Sequence, residues 1–225
     1  EKLKSEYENR TINGYQIKFV DINCTEETAE IEKIINKRKT KETDIIIDLN
    51  LDGSGKSDIK TGIGFLDHML EQLSHHSLID IELSAVGDTH IDFHHTTEDS
   101  AIAIATAIKE ALGDKKGINR FGCSFVPMDE TLTRAVIDIS GRAYPVFNCQ
   151  FTRDKIGEMD SELFREFFFA FSNALACNLH IENLYGINNH HIVESCFKAT
   201  ARALKEAIAV DERKLNSINS TKGIL

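Results

Sequence analysis

Alternation of apolar and polar residues predicts the strands of this chain. In "DIIIDLNLDG", the apolar residues Ile45, Ile47, Leu49 and Leu51 alternate with polar positions, and a Gly/Ser turn follows. The segments "IDIELSAVGDTHID" and "TRAVIDISGRAY" are also interpreted as strands, the second followed by a glycine turn. The pattern therefore predicts two strands in the first half of the chain and one in the second.

Helical spacing of apolar residues predicts helices beside these strands. In "GFLDHMLEQLSHH", Phe65, Met69 and Leu73 lie on one face of a helix. The segment "SELFREFFFAFSNALACNLHI" carries a longer apolar stripe, which we interpret as core: Phe164, Phe167, Phe168, Phe171 and Leu175. The predicted order in the first half is strand, helix, strand, helix, and the second half is similar.

A repeated motif links the two halves. "FHHTTED" and "NNHHIVES" share the spacing His-His-x-x-Glu, and at an offset of 96 residues nine of the twenty residues from each first histidine are identical. Each motif opens a predicted helix, the first ending at Leu112 before Gly113 and the second near Ala209. The repeat predicts two similar halves, residues 36–122 and 123–225.

Residues 1–35 are predicted to be an N-terminal extension without chemistry of its own. They are rich in Lys, Glu and Asn. The segment "TEETAEIEKIINK", residues 25–37, crosses the end of this extension and predicts a short helix capped by Thr25.

Composition narrows the class of protein. The chain has 225 residues, 41% of them hydrophobic, a formal charge of -10 and a pI near 5.4. This acidity argues against nucleic acid as the main partner. No apolar run is long enough to predict a membrane span, and no signal-peptide pattern is seen. The five cysteines are odd in number and well separated, which predicts reduced, mostly buried thiols in a cytoplasmic protein.

The His-His-x-x-Glu spacing predicts metal chemistry. On a helix, residues three or four apart share a face, whereas neighbouring residues point about 100° apart. The two histidines of one motif should therefore serve two different ions, and His68 and His180 are candidate additional ligands. Three imidazoles and one carboxylate per ion leave positions open for substrate or water. Ligand type alone favours zinc, iron or nickel over manganese, and a single His-His pair is more often a surface feature than a ligand set.

Ten ordered motifs between residues 38 and 225 resemble the imidazoleglycerol-phosphate dehydratase family of histidine biosynthesis. They are "RKTKET", "TGIGFLDHML", "FHHTTED", "GINRFG", "PMDE", "DISGR", "LHI", "NNHHIVES", "FKA" and "STKG". The resemblance implies an α+β fold, a duplicated two-layer sandwich of the ribosomal protein S5 domain 2-like type. Each half would be a four-stranded sheet backed by two helices.

The resemblance also implies the reaction and the site. Water would be removed from imidazole glycerol phosphate to give imidazole acetol phosphate, with two Mn²⁺ per active site stabilising an imidazolate on the way to a diazafulvene-like intermediate. The implied metal ligands are His68, His94, His95, Glu98, His180, His190, His191 and Glu194. The implied acid/base is Glu42, with Glu194 a second catalytic carboxylate, and the substrate contacts are Glu42, Gln72, His76, Arg120, Arg142, Lys198, Ser220 and Lys222.

The family further implies a hollow homo-oligomer of twenty-four subunits built from trimers, with active sites shared between subunits. Two positions depart from its usual pattern. Phe93 stands where a second Asp usually precedes the first histidine pair, and Asn219 stands where a Pro usually precedes "STKG". Loss of that Asp predicts a missing hydrogen bond behind a ligand, and loss of the Pro predicts a more mobile tail.

Two other functions use part of the same pattern. A dinuclear metallohydrolase acting on a phosphate ester would also employ histidines and carboxylates on two ions. A metal-assembled scaffold without catalysis would keep the two motifs but has no use for Glu42 or for the basic set Arg120, Arg142 and Lys222.

Overall fold

The computed structural model describes residues 11–12, 15–16 and 33–225, and these form two halves of identical topology. The first half contains β1 (Lys33–Lys39), β2 (Thr43–Asn50), β3 (Ser57–Lys60), α1 (Gly64–Ser77), β4 (Asp80–Gly87) and α2 (His94–Ala111). The second contains β5 (Phe121–Met128), β6 (Thr131–Asp138), β7 (Tyr144–Asn148), α3 (Glu162–Leu175), β8 (Asn178–Tyr185) and α4 (Asn189–Ile208). Short two-residue ladders join Thr11–Ile12 to Tyr15–Gln16 and Lys155–Ile156 to Met159–Asp160, and Glu212–Lys214 is a single 3-10 turn.

The two sheets have matching strand orders. The first is β1-β2-β4-β3 and the second is β5-β6-β8-β7. In each sheet one edge strand runs parallel to its neighbour, β3 to β4 and β7 to β8, and the other pairs are antiparallel. Since a parallel pair needs a crossover, α1 connects β3 to β4 and α3 connects β7 to β8. The α+β class and the duplicated sandwich predicted from the sequence are confirmed.

The four helices form the layer between the sheets. Each sheet packs on the two helices of its own half. Across the halves, α1 packs on α4 and α2 packs on α3. The alternation predicted in β2 is confirmed, because Ile45, Ile47 and Leu49 are fully buried. The aromatic stripe of α3 is core as predicted, and Phe167 and Phe168 contact Phe197 of α4 with ring centroids 4.9 and 4.7 Å apart.

The end of α3 corrects the sequence analysis. The helix stops at Leu175, and Ala176 adopts the left-handed conformation with φ 56°. The "NLHI" segment, predicted as the end of this helix, is therefore the start of β8, and His180 lies on a strand. No glycine marks this end, which is why the apolar periodicity extended the helix too far.

The predicted helix in "TEETAEIEKIINK" is wrong over its last residues, because Lys33–Lys39 is a strand. Thr25, its predicted cap, lies outside the described residues. The division into halves at residues 36–122 and 123–225 stays a prediction. Strand β1 begins before residue 36, and β5 begins before residue 123.

Substituting Ala176 by Gly is expected to stabilise the fold by about 0.5–1 kcal/mol. Glycine adopts a left-handed conformation without the strain an L-residue carries there, and this gain exceeds the extra freedom it gives the unfolded chain. The matched change Ala174→Gly, inside the same helix, should instead destabilise by about 0.5–1 kcal/mol. Denaturant unfolding of the metal-free protein measures both, and shifts of the same sign would contradict the assigned helix end.

Four cysteines lie among the described residues, and all are free thiols. Cys177 and Cys196 are buried and Cys149 is half-buried, as predicted, whereas Cys123 is exposed. Within the described part of the chain, no helix is both long and apolar enough to cross a membrane.

Candidate active site

Three side chains from both halves converge where α1 packs on α4. Nε2 of His190 lies 2.9 Å from Oε2 of Glu194, and Nε2 of His68 lies 3.4 Å from the same oxygen. The three potential ligand atoms all lie within 4.8 Å of one another. His68 and His190 are half-exposed while Glu194 is buried, so the group opens to solvent on its imidazole side.

Local structure places these groups. Asn188 caps α4 by accepting a hydrogen bond from the backbone N–H of His190 at 3.0 Å, which starts the helix at the motif. From there, His190 and Glu194 are four residues apart and share a face, as the spacing predicts. His68 arrives from the first half because α1 runs beside α4. We call His68, His190 and Glu194 the ligand cluster.

Lys198 sits one turn beyond the ligand cluster. Its Nζ lies 2.6 Å from Oε1 of Glu194. Burial would raise the pKa of Glu194, but the hydrogen bond and charge of Lys198, with the hydrogen bond of His190, outweigh it and lower that pKa. Glu194 is therefore held as a carboxylate. Two imidazoles and an ionised carboxylate converging in this way are a donor set that fits a divalent transition metal with positions to spare.

His191 points away from the ligand cluster. Its ring centroid is 6.2 Å from that of His190, and the ring planes are 86° apart. Its Nδ1 lies 2.7 Å from Oε2 of Glu130, in the turn between β5 and β6. The other oxygen of Glu130 accepts the backbone N–H groups of Asn188 at 2.8 Å and Ile187 at 3.0 Å. Hydrogen bonds from Asn188, His191 and Ile187 keep the pKa of Glu130 well below its usual range.

The first motif repeats this arrangement with looser contacts. Nε2 of His94 lies 3.8 Å from Glu98, and the His94 and His95 rings are 6.0 Å apart with planes at 78°. Nδ1 of His95 lies 3.0 Å from Asp88, whose hydrogen bond raises the pKa of His95. Glu42 approaches Nε2 of His95 at 3.8 Å. Neighbouring histidines therefore point apart in both motifs, as helix geometry predicts.

The structure shows the contacts made at the two positions that depart from the family pattern. Asp92 accepts the backbone N–H of His94 at 2.7 Å, and Phe93 packs against the core. Nδ1 of His95 has a carboxylate partner in Asp88, 3.0 Å away. Asn219 donates to the carbonyl of Asn119 at 2.7 Å, which ties the tail to the body of the chain.

The duplication pairs His68 with a different residue type in the second half. Helices α1 and α3 are both 14 residues long, and each ends before a left-handed residue, Leu78 or Ala176. His68 is the fifth residue of α1, and the fifth residue of α3 is Glu166. A carboxylate thus stands in the second half where the first has an imidazole. Alignment of the two helix ends would have found it, had the end of α3 been recognised.

Gln72 and His76 lie further along α1. Both are half-buried. Burial is the largest cause of the lowered pKa of His76, and the charge of Lys198 adds to it. His76 therefore lies where α1 packs on α4, as the ligand cluster does, just over two helical turns beyond His68.

The other predicted substrate contacts do not join the ligand cluster within this chain. Arg120 donates its backbone N–H to the carbonyl of Ala207 at 2.8 Å, near the end of α4. The helix between Glu194 and Ala207 spans about 20 Å at 1.5 Å per residue. The guanidinium of Arg120 pairs with Asp138 at 2.6 Å and donates to the carbonyl of Asn219 at 2.9 Å.

Arg142 and the tail lie at this same far end. The Arg142 carbonyl accepts from Asn178 at the start of β8. The tail with Ser220 and Lys222 follows directly on Asn219 and returns to the turn at Gly141. These four basic or hydroxyl residues therefore lie beyond the reach of a substrate held at the ligand cluster of the same chain.

His180 is also placed apart. It is exposed on the outer face of β8, opposite the buried residues Leu179 and Ile181, and its ring is 6.2 Å from that of Tyr144. The helix layer lies on the other side of this sheet. Within this chain, His180 therefore lies apart from the ligand cluster.

Comparison with known proteins identifies the family. A sequence model described as imidazoleglycerol-phosphate dehydratase matches residues 61–204. The chain belongs to the imidazoleglycerol-phosphate dehydratase family. Curated relatives of that name from Rhodopseudomonas palustris and Nitrobacter hamburgensis are each 59% identical over 189 residues, which cover 84% of this chain and 96% of each relative.

Solved structures agree. The imidazoleglycerol-phosphate dehydratase from Staphylococcus aureus matches with a TM-score of 0.70 at 40% identity, covering 79% of this chain and 99% of that one. The enzyme from Pyrococcus furiosus matches with a TM-score of 0.72 at 35% identity, covering 84% and 99%. The sequence-based assignment to this dehydratase family, a family of carbon-oxygen hydro-lyases, is confirmed.

Proposed function

We propose that this chain removes water from imidazole glycerol phosphate to give imidazole acetol phosphate, as a cytoplasmic step of histidine biosynthesis. The observation that carries the proposal is the ligand cluster of His68, His190 and Glu194, assembled from both halves of a chain that belongs to this family. The free thiols support a reducing compartment.

We propose two Mn²⁺ ions per active site, and the imidazole and carboxylate donors suit divalent transition metals. His68, His190 and Glu194 would hold one, and His94 with Glu98 would contribute to the other. His95 and His191 point away from these groups, so each would complete a site on a neighbouring subunit, and the exposed His180 would also meet a metal only across an interface. When bound, the metals would supply Lewis-acid stabilisation of the charge that develops on the substrate ring.

Side chains of the protein would carry out the proton transfers. The hydrogen to be removed sits on a carbon with no adjacent carbonyl, so a well-placed base is needed as well as charge stabilisation. Glu42 has about half of its side chain exposed and lies near Nε2 of His95, where a carboxylate can take or return a proton. Glu194, kept ionised by Lys198, is the second catalytic carboxylate.

Substrate would be held at both of its ends. Three side chains lie where α1 packs on α4, beside the ligand cluster: Gln72, His76 and Lys198. Arg120, Arg142, Ser220 and Lys222 offer cationic and hydroxyl donors suited to a phosphate. Because this second set lies about 20 Å along α4, the phosphate would be bound by residues of a neighbouring subunit. This separation supports active sites shared between subunits in a homo-oligomer, for which we propose twenty-four subunits built from trimers.

Incubation with Mn²⁺ and imidazole glycerol phosphate tests the proposal. The expected product is imidazole acetol phosphate, with none formed after metal removal. Release of inorganic phosphate would instead indicate the metallohydrolase alternative. Metal-dependent assembly without any turnover would indicate the scaffold.

Lys222→Ala is expected to raise KM by about 10- to 100-fold and leave kcat nearly unchanged. The ammonium group is proposed to bind a phosphate that does not react, and a hydrogen bond to a charged group contributes about 1.5–3 kcal/mol. Steady-state kinetics measure the two constants separately. Lys214→Ala, in the exposed turn before the tail, is the matched control and should leave both unchanged; an unaltered KM for Lys222→Ala would remove that lysine from the phosphate site.

A further inference from the structure

Glu42 and Glu130 occupy equivalent positions in the two halves. Glu42 directly precedes Thr43, the first residue of β2, and Glu130 directly precedes Thr131, the first residue of β6. Strands β2 and β6 have the same length and the same place in their sheets. The two glutamates therefore stand at matching turns of the duplicated fold.

Their surroundings are different. The Glu130 carboxylate contacts His191 through Nδ1, at 2.7 Å, and its remaining acceptor capacity is taken by two backbone N–H groups and the Thr131 hydroxyl at 2.9 Å. The Glu42 carboxylate approaches His95 on the opposite ring nitrogen, Nε2, at 3.8 Å.

A different carboxylate serves the first motif. Asp88, which follows β4, lies 3.0 and 3.2 Å from Nδ1 of His95 and is largely buried. In both motifs, then, Nδ1 of the second histidine faces a carboxylate, and Nε2 lies 3.7–3.8 Å from a more exposed one, Asp129 for His191 and Glu42 for His95. A histidine whose Nδ1–H is held by a carboxylate has a fixed ring orientation and a more basic Nε2, which strengthens it as a metal ligand.

We propose that Glu130 is a positioning residue that holds His191 by Nδ1 and presents its Nε2 to a metal, and that Asp88 does the same for His95. The inference rests on the proposed metal centre. It also explains why only one of the duplicated glutamates is available for proton transfer: Asp88 has taken over the positioning task in the first half, which leaves Glu42 facing the open side of the ring. Glu130 is engaged on both oxygens and has no such freedom.

Glu130→Gln tests the role, because the amide keeps the size of the side chain and removes its charge. With Mn²⁺ as the only ligand, we expect the dissociation constant of the weaker-binding sites to rise about 10- to 100-fold, the usual effect of losing such a partner. The thermal stability of the metal-free protein should also fall, because the backbone N–H groups of Ile187 and Asn188 and the Thr131 hydroxyl then bond to a neutral amide in place of a charge. Glu158→Gln, an exposed position in the hairpin before α3, is the control and should bind Mn²⁺ like the unaltered protein.

A double-mutant cycle separates positioning from a general structural effect. If Glu130 acts through His191, then Glu130→Gln should have no further effect on Mn²⁺ affinity in a His191→Ala background. Additive losses, or an Mn²⁺ affinity unchanged by Glu130→Gln alone, would overturn the proposal. Unaltered protein that binds Mn²⁺ but forms no acetol product would refute only the proposed function, whereas unaltered protein that binds no Mn²⁺ would refute both.

Discussion

Chelation of metal is expected to convert a large particle into a much smaller species, and added Mn²⁺ should restore it. The reason lies in the directions of the histidines. His95 and His191 point away from the ligand groups of their own motifs, so in the proposed assembly a metal held by one subunit would be completed by another, and its binding energy would become assembly energy. The distance of about 20 Å along α4 between the ligand cluster and Arg120 supports the same proposed sharing.

Sedimentation with and without chelator measures this change. His95→Ala and His191→Ala should each prevent Mn²⁺ from restoring the large particle. His90→Ala, an exposed histidine outside the candidate ligands, is the matched control and should reassemble fully. A particle that stays large without bound metal would show that other contacts hold the subunits together.

Glu42→Gln is expected to lower kcat at least about a hundredfold, the lower range for a lost general acid or base. Mn²⁺ binding and assembly should stay close to normal, since the Glu42 carboxylate stands 3.8 Å from the nearest imidazole nitrogen and supports no other described element through its side chain. Single-turnover kinetics together with Mn²⁺ titration measure the two properties. Glu158→Gln should preserve both, and near-normal turnover in Glu42→Gln would exclude Glu42 from proton transfer.

Elements with a strong apolar period were predictable from sequence. β2 and α1 were found because their buried residues recur at two and at three to four positions. β1 was not, since Lys33–Lys39 is dominated by lysine, arginine and asparagine and gains its place by pairing with β2. β3 is only four residues long and largely exposed, so its strand character comes from its parallel neighbour β4 and not from its own sequence.

The contacts of the candidate site also differ in whether the sequence predicts them. The contact between His190 and Glu194 follows from helical spacing, so sequence alone predicts it. The contact of His191 with Glu130 joins residues 61 positions apart, and that of His95 with Asp88 depends on where β4 ends. No local pattern encodes such partners. The displacement of Arg120 and Arg142 from the ligand cluster could be recognised only once the direction of α4 was known.

The packing of helices from one half on those of the other has a consequence for how the chain is held together. α1 packs on α4 and α2 on α3, so each half covers the apolar helix faces of the other. The segment between Ala111 and Phe121 keeps both at a high effective concentration, and their association cannot be undone by dilution. Such an interface need not be optimised to survive in a dilute solution as a free dimer would. The two copies have therefore been able to diverge in their polar groups, so that one supplies His68 and Glu42 while the other supplies Glu166 and Glu130.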